Sequence, residues 1–174
     1  MPFGKAPKLL DPAGLEAYAA SLLAQRALSS GELRQKLSAR ALDPTTVEPL
    51  ITRLTEYGAL DDSRFAESYA MARRENQLYG RQRILRDLGR KRIPAPLARD
   101  TVNRIFPASS EEDLINDFLQ RKFRGKDLSA WLADPKHLQS ALRRLHTAGH
   151  SLSASLKVLR RYSSRAHDLD AEDL

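Results

Sequence analysis

Apolar residues fall into the same frame twice along this chain, 51 positions apart. Leu33, Leu37, Leu42, Ile51 and Leu54 are answered by Ile84, Leu88, Ile93, Val102 and Ile105, and Tyr18 by Tyr69. A third, looser copy runs from about Leu138 to Tyr162. The spacings of three and four are those of a helix that buries one stripe. A repeated frame of this kind implies stacked helical units, each burying a face it could not bury alone. The alternating Val, Ile and Thr patterns of strands are missing. The expectation is therefore an all-α fold: tandem three-helix modules forming an elongated, curved array of about nine helices.

The elements follow from local chemistry. Residues 1–12 read as a loose arm and residues 13–58 as the first unit. Its first helix runs from about Ala13 to Arg26, with Tyr18, Leu22 and Leu23 on one side. Ser29 or Ser30 caps a second helix carrying Leu33 and Leu37, with Glu32 near its positively polarised start. Asp43-Pro44 restarts the chain, Val47, Leu50, Ile51 and Leu54 line a third helix, and Gly58 ends it. Residues 59–107 form the second unit. Phe65, Tyr69 and Ala72 or Arg73 mark its first helix, Ile84 and Leu88 its second, and Leu97, Val102, Ile105 and Phe106 its third. Leu78-Tyr79-Gly80 breaks the register between the first two.

Residues 108–165 form the third unit, starting near Ser109 or Ser110 with Leu114, Ile115, Phe118 and Leu119 as its apolar face. Arg124 to Pro135, which includes Trp131, interrupts the repeat. Helices resume with Leu138, Ala141, Leu142 and Leu145, then with Leu152, Leu156, Leu159 and Tyr162 after a turn at Gly149. Residues 166–174 are an acidic tail, frayed or lying over basic surface. Tyr18, Tyr57, Tyr69 and Tyr162 recur at helix boundaries, where rings would pack units together. Short cores within each unit allow a folded monomer that bends between units.

Charge adds a direction. The 174 residues carry a formal +7. Residues 61–106 hold eleven basic against six acidic residues, whereas the flanking stretches are nearly balanced. Such a patch favours nucleic acid or an acidic protein face. There is no cysteine, hence no disulfide, thiolate nucleophile or thiolate metal site. No apolar run approaches a membrane span and no export signal stands at the start, so a cytoplasmic location is expected.

The strongest binding candidates are Arg73, Arg74, Arg81, Arg83, Arg86, Arg90, Lys91 and Arg92, eight cations within twenty positions. Arg83, Arg86 and Arg90 recur at three and four residues and share a helix face. Arginines clamp carboxylates or phosphates through paired donors. The alternative is a solvated outer face for a helix packed through Ile84 and Leu88. Arg81, Arg83 and Arg86 are expected to be exposed beside that stripe.

Other residues point away from catalysis. Asp61 and Asp62 are adjacent, so they diverge on a helix and read as caps for the helix of Phe65. Tyr79-Gly80 fixes a turn and is no phosphate loop, since no glycine-rich run with Lys-Ser or Lys-Thr follows. His146 and His150 lie four apart, but Gly149 interrupts them and no third ligand stands nearby. No serine sits in a nucleophilic motif. Neither enzyme activity nor a cofactor is implied. Trp131 either anchors a partner or fills a core gap.

The chain resembles the RecX family of bacterial recombination regulators. The resemblance begins with Leu22-Leu23-Ala24-Gln25-Arg26 and Ser30-Gly31-Glu32-Leu33-Arg34-Gln35-Lys36-Leu37. It continues in Tyr57-Gly58-Ala59-Leu60-Asp61-Asp62-Ser63-Arg64-Phe65-Ala66-Glu67-Ser68-Tyr69, its most specific stretch, then in Tyr79-Gly80-Arg81-Gln82-Arg83-Ile84 and Leu88. It is weaker over the third unit, at Leu142-Arg143-Arg144-Leu145 and Gly149-His150-Ser151. The resemblance implies tandem three-helix modules that lie in the groove of the RecA filament on DNA. They suppress its ATP hydrolysis, strand exchange and stimulated repressor self-cleavage, and some members touch single- or double-stranded DNA directly. The residues alone leave two alternatives: a non-specific DNA-binding helical module and a helical scaffold.

Overall fold

The computed structural model describes residues 8–107 and 111–167. The start of the arm, the cap expected at Ser109 or Ser110 and the acidic tail from Asp168 lie outside them. The described residues form ten α-helices and two 3₁₀ turns, with no strand among them. The helices are α1 Pro12–Gln25, α2 Ser30–Ser38, α3 Val47–Glu56, α4 Asp62–Gln77, α5 Arg81–Arg90, α6 Ala95–Ile105, α7 Glu111–Lys122, α8 Leu128–Leu132, α9 Pro135–Ala148 and α10 Leu152–Tyr162.

The chain divides into two compact units, and the division passes through α4, α5 and α6. The first comprises Met1–Ala66 with Leu88–Leu97. Asp11 caps α1 by accepting from the Gly14 amide at 2.8 Å, and Ser29 caps α2 through the Glu32 amide at 3.0 Å. Leu15, Ala19, Leu33, Leu37, Val47, Leu50, Ile51 and Leu60 form its core, with Tyr18 and Leu54 packed against them half-buried. Full burial of such a side chain contributes about 1.5–3 kcal/mol. Leu10 pairs with Ala41 in an isolated parallel bridge. Leu42 departs from the repeated frame. It is 64% exposed, whereas its counterpart Ile93 is buried. The chain turns one residue earlier than the pattern suggests, so Ala41 goes inward instead. Tyr57, at the end of α3, is 79% exposed, unlike the packed ring expected there.

The stretch Leu88–Leu97 belongs to this unit through specific bonds. The Ser29 hydroxyl donates to the Lys91 carbonyl, Lys91 Nζ reaches Glu32 at 3.1 Å, and Arg92 Nε reaches Gln35 at 2.9 Å. A side chain at Gly31 would stand 2.5 Å from Arg92 Cβ, which explains the glycine there. Asp61 caps α4 through the Arg64 amide at 2.9 Å. Asp62 instead accepts from the Ser30 amide and hydroxyl at 2.7 and 2.6 Å. Both carboxylates are structural. Phe65 is half-buried and Leu88 is fully buried.

The second unit comprises Glu67–Asp87 and Ala98–Leu174. Ile115, Leu119, Phe123, Leu132, Leu138, Leu142, Leu145, Val158 and Leu159 form its main core, with Leu156 packed against it. Ile84 and Val102 are fully buried, while Tyr69 and Ile105 are half-buried. The interruption expected at Arg124 to Pro135 holds an additional short helix. Asp127 caps α8 through the Ser129 and Ala130 amides, and Leu128 and Leu132 enter the core. Trp131 lies between Phe123, centroids 4.2 Å apart, and His137, 4.3 Å apart and nearly parallel, with Lys126 over its ring at 4.6 Å. It fills the flank of the core.

Gly149 ends α9 with φ +88°, and Gly80 packs directly on it. The Gly80 amide donates to the Ala148 carbonyl at 2.8 Å, and the Gln82 amide donates to the Gly149 carbonyl at 3.2 Å. A side chain on Gly80 would meet the Gly149 carbonyl at 2.3 Å. The turn at Tyr79-Gly80 is thus the point where the start of α5 docks on the end of α9.

Candidate functional site

Helix α9 builds the most distinctive surface of the second unit. Asp134 caps it and Pro135 occupies its first turn. Leu138, Ala141, Leu142, Leu145 and Ala148 face inward, which turns Lys136, Ser140, Arg143, Arg144 and Thr147 away from the core. The helix contains no acidic residue. Tyr79 and Arg83 approach from the start of α5, and Phe118 and Lys122 from α7. Together they enclose an open cleft of about 540 Å³.

Five cations line this cleft: Arg83, Lys122, Lys136, Arg143 and Arg144. Among the described residues, no carboxylate does. Its floor is apolar, from Phe118, the Tyr79 ring and Ala148. Arg83 is held in place by three contacts. Its guanidinium lies 4.7 Å from the Tyr79 ring centre, donates to the Thr147 carbonyl at 3.1 Å, and pairs with Asp87 at 3.5 Å. Arg144 Nε reaches the Ser140 hydroxyl at 3.4 Å. Such a cleft offers fixed positive charge over an apolar base, suited to an anionic chain that also carries apolar or planar groups.

Behind the floor sits His150, 1% exposed, with its ring edge-on to Phe118 at 5.7 Å. Its Nε2–H donates to the Leu78 carbonyl at 3.0 Å, while its buried Nδ1 finds no partner. Burial holds its pKa below the ordinary 6.5, against the opposing pull of the Glu111 carboxylate and the Leu78 bond. The ring is neutral and structural. His146, on the exposed side of the last turn of α9, does not join it. Among the described residues, no three His, Asp or Glu side chains gather in a way that could hold a metal.

The eight cations singled out from sequence are divided between the units. Arg73 lies over the Tyr69 ring at 4.9 Å and Arg74 over Phe106 at 5.5 Å. Arg81, expected to be exposed, is half-buried: it donates to the Phe106 carbonyl at 2.8 Å and also to Asn103 Oδ1. Arg83 is likewise half-buried. Arg86 is exposed and makes no bond to another described residue. In the first unit, Arg90 is exposed, Lys91 pairs with Glu32, and Arg92, in the left-handed region at φ +58°, pairs with Gln35. Burial pushes the Glu32 carboxyl up, but hydrogen bonds from Arg26 and Lys91 outweigh it and hold the pKa below its ordinary value. Much of the basic cluster thus ties helices together within each unit.

Of the eight, only Arg83 lines the cleft. Lys122, Lys136, Arg143 and Arg144 were not singled out, because the acids of α7 balance them in any tally of the last third. The absence of acid from α9 was the available signal.

The chain matches a family model described as RecX, second three-helix domain, over residues 61–102, which covers α4, α5 and most of α6. It is 33% identical to the regulatory protein RecX of Pseudomonas fluorescens, across 81% of this chain and 86% of that one. It is 32% identical to that of Pseudomonas putida strain GB-1, across 66% and 72%. Among solved structures, the fold matches RecX from Lactobacillus salivarius with a TM-score of 0.66 at 16% identity, covering 87% of this chain and 96% of that chain. A second crystal structure of a regulatory protein RecX gives a TM-score of 0.62 at 22% identity, covering 84% and 72%.

Proposed function

Because this chain belongs to the RecX family of regulatory proteins, we propose that it binds the RecA recombinase assembled on DNA and restrains it. It acts by binding, not by chemistry, as a monomer in the cytoplasm. Bridging neighbouring filament subunits hinders the motion coupled to ATP turnover. Strand exchange and stimulated repressor cleavage fall with it, which moderates recombination and the SOS response. Several modest contacts add through multivalency.

The observation that carries this reading is the family membership, and the basic cleft on α9 supports it. The test is DNA-dependent ATP hydrolysis by preformed filaments, titrated with this protein. Turnover and strand exchange should both fall as binding saturates. Unchanged rates at saturation would overturn the proposal.

A second reading, direct DNA binding without a filament partner, is favoured by the same cleft. Its affinity would fall steeply with salt as counterion release loses its force. Binding to filaments at a salt concentration where free DNA no longer binds favours the first reading; the reverse favours the second. A helical scaffold would show neither interaction.

A further inference from the structure

We propose that the α9 cleft is a site for a free nucleoside polyphosphate, a short polyphosphate chain bearing a planar base. Such a ligand lies beyond the binding function proposed above and does not depend on it. Charge comes first. The five cations that line the cleft face no carboxylate among its described lining residues, which calls for a ligand with several negative charges. Arg83 is set in position before any ligand arrives, by the Tyr79 ring at 4.7 Å and the Thr147 carbonyl at 3.1 Å. The Ser140 hydroxyl accepts from Arg144 Nε at 3.4 Å and keeps its own proton to donate. Arginine, lysine and serine donors of this kind are those that phosphate oxygens take.

The floor supplies the second half of the ligand. Phe118, Ala148 and the Tyr79 ring give an apolar base beneath the cations. The His150 ring stands edge-on to Phe118 at 5.7 Å and backs it. A planar base stacks on such rings whatever its identity.

Size and closure favour a small ligand over a polymer. The cleft of about 540 Å³ falls within the range of about 300–1,000 Å³ typical of small-molecule sites. From Lys136 to Thr147 it follows eleven residues of α9, about 16 Å. The Gly80 and Gln82 amides bond to the Ala148 and Gly149 carbonyls at 2.8 and 3.2 Å. The first turn of α5 therefore lies across the C-terminal end of α9 and bounds the cleft there. A single strand needs a groove for about 4–16 nucleotides, and a strand or extended peptide running along α9 needs both ends open. The consequence is competition: a nucleotide in the cleft and a polyanion touching its rim exclude one another.

The test is equilibrium dialysis of the full chain at physiological salt, with ATP as the probe. ATP should bind at least about tenfold more tightly than tripolyphosphate, because the base gains the apolar floor. Lys136→Glu with Arg144→Glu should weaken ATP binding by at least about tenfold, with helix content by circular dichroism unchanged. Arg99→Glu with Arg104→Glu, on α6, exposed and outside the cleft, should leave it within about twofold. In the unaltered protein, ATP should shield Lys122 and Lys136 from acetylation, read by mass spectrometry, which tests the site even where the reversed variant fails to fold. Tripolyphosphate binding as tightly as ATP, equal losses in the two double variants, or shielding of other lysines alone would each overturn the proposal. So would a single-stranded oligonucleotide or a glutamate-rich peptide that shields the same lysines at lower concentration than ATP, since the cleft would then serve that polymer. None of these readouts involves a filament, so failure here leaves the function proposed above standing.

Discussion

Two glycines show how much a single position depends on its surroundings. Gly149 adopts φ +88°, and a side chain there would lie 2.2 Å from the Arg83 amide nitrogen. Gly149→Ala should therefore cost more than about 2 kcal/mol, through left-handed strain and the lost dock of α5 on α9. Gly89 lies within α5 with nothing within 4 Å of an added side chain. Gly89→Ala should stabilise by about 0.5–1 kcal/mol. Urea midpoints of the two variants should move in opposite directions. His150 gives a pH signature. Its folded pKa lies below its unfolded value of 6.5, so the unfolded chain takes up the proton first. The stabilisation is complete above pH 6.5 and is lost as pH falls from there through the folded pKa, with a slope approaching about 1.4 kcal/mol per pH unit. Glu111 faces the same ring. The His150→Gln variant should lose this dependence; a slope equal to that of the unaltered protein would show that another group is responsible.

At the scale of elements, the same device starts two helices. A carboxylate from the first turn of one helix receives both the amide and the hydroxyl of a serine at the start of another. Asp62 does so for Ser30, and Glu111 for Ser151 at 2.7 and 2.9 Å. Charge-assisted bonds of this type contribute about 1.5–3 kcal/mol each. Asp62→Ala should lower stability by roughly 2–4 kcal/mol in all, measured by chemical denaturation, and a change under 0.5 kcal/mol would contradict the bonding described here. Helix α5 carries the matching contrast. Leu88→Ala, at a fully buried site, should cost roughly 2–5 kcal/mol. Arg86→Ala, on the exposed side, should stay within about 0.5 kcal/mol. The helices themselves were legible because caps and periodicity are local. The additional α8 was not, since five residues give too short a stripe to read and its stability comes from Leu128 and Leu132 in the core.

At the scale of the molecule, the cleft cations gather positive charge on one surface of the second unit. Lys136→Glu with Arg144→Glu should weaken filament or DNA binding by about tenfold or more, and the loss should shrink as salt screens the field. Equilibrium binding across a salt series with matched helix content checks this. An unchanged affinity at low salt would remove the cleft from the binding surface.

The chain's own sequence was enough to establish the helical class, the frame of Leu33, Leu37, Ile51 and their partners 51 residues on, and the family resemblance. All of these rest on interactions within a turn or two of helix, or on residues read in order. Tertiary structure decided which charged residues are committed to the fold. Arg81 and Arg86 look alike in sequence, yet one is spent on the Phe106 carbonyl and the other stands in solvent. It also placed Trp131 against the core, sent Ala41 inward in place of Leu42, and brought residues 79–83, 118–122 and 136–148 around one cleft. Helical periodicity tells each residue which side of its own helix it occupies. What that side meets depends on segments tens of residues away, and only packing brings them together.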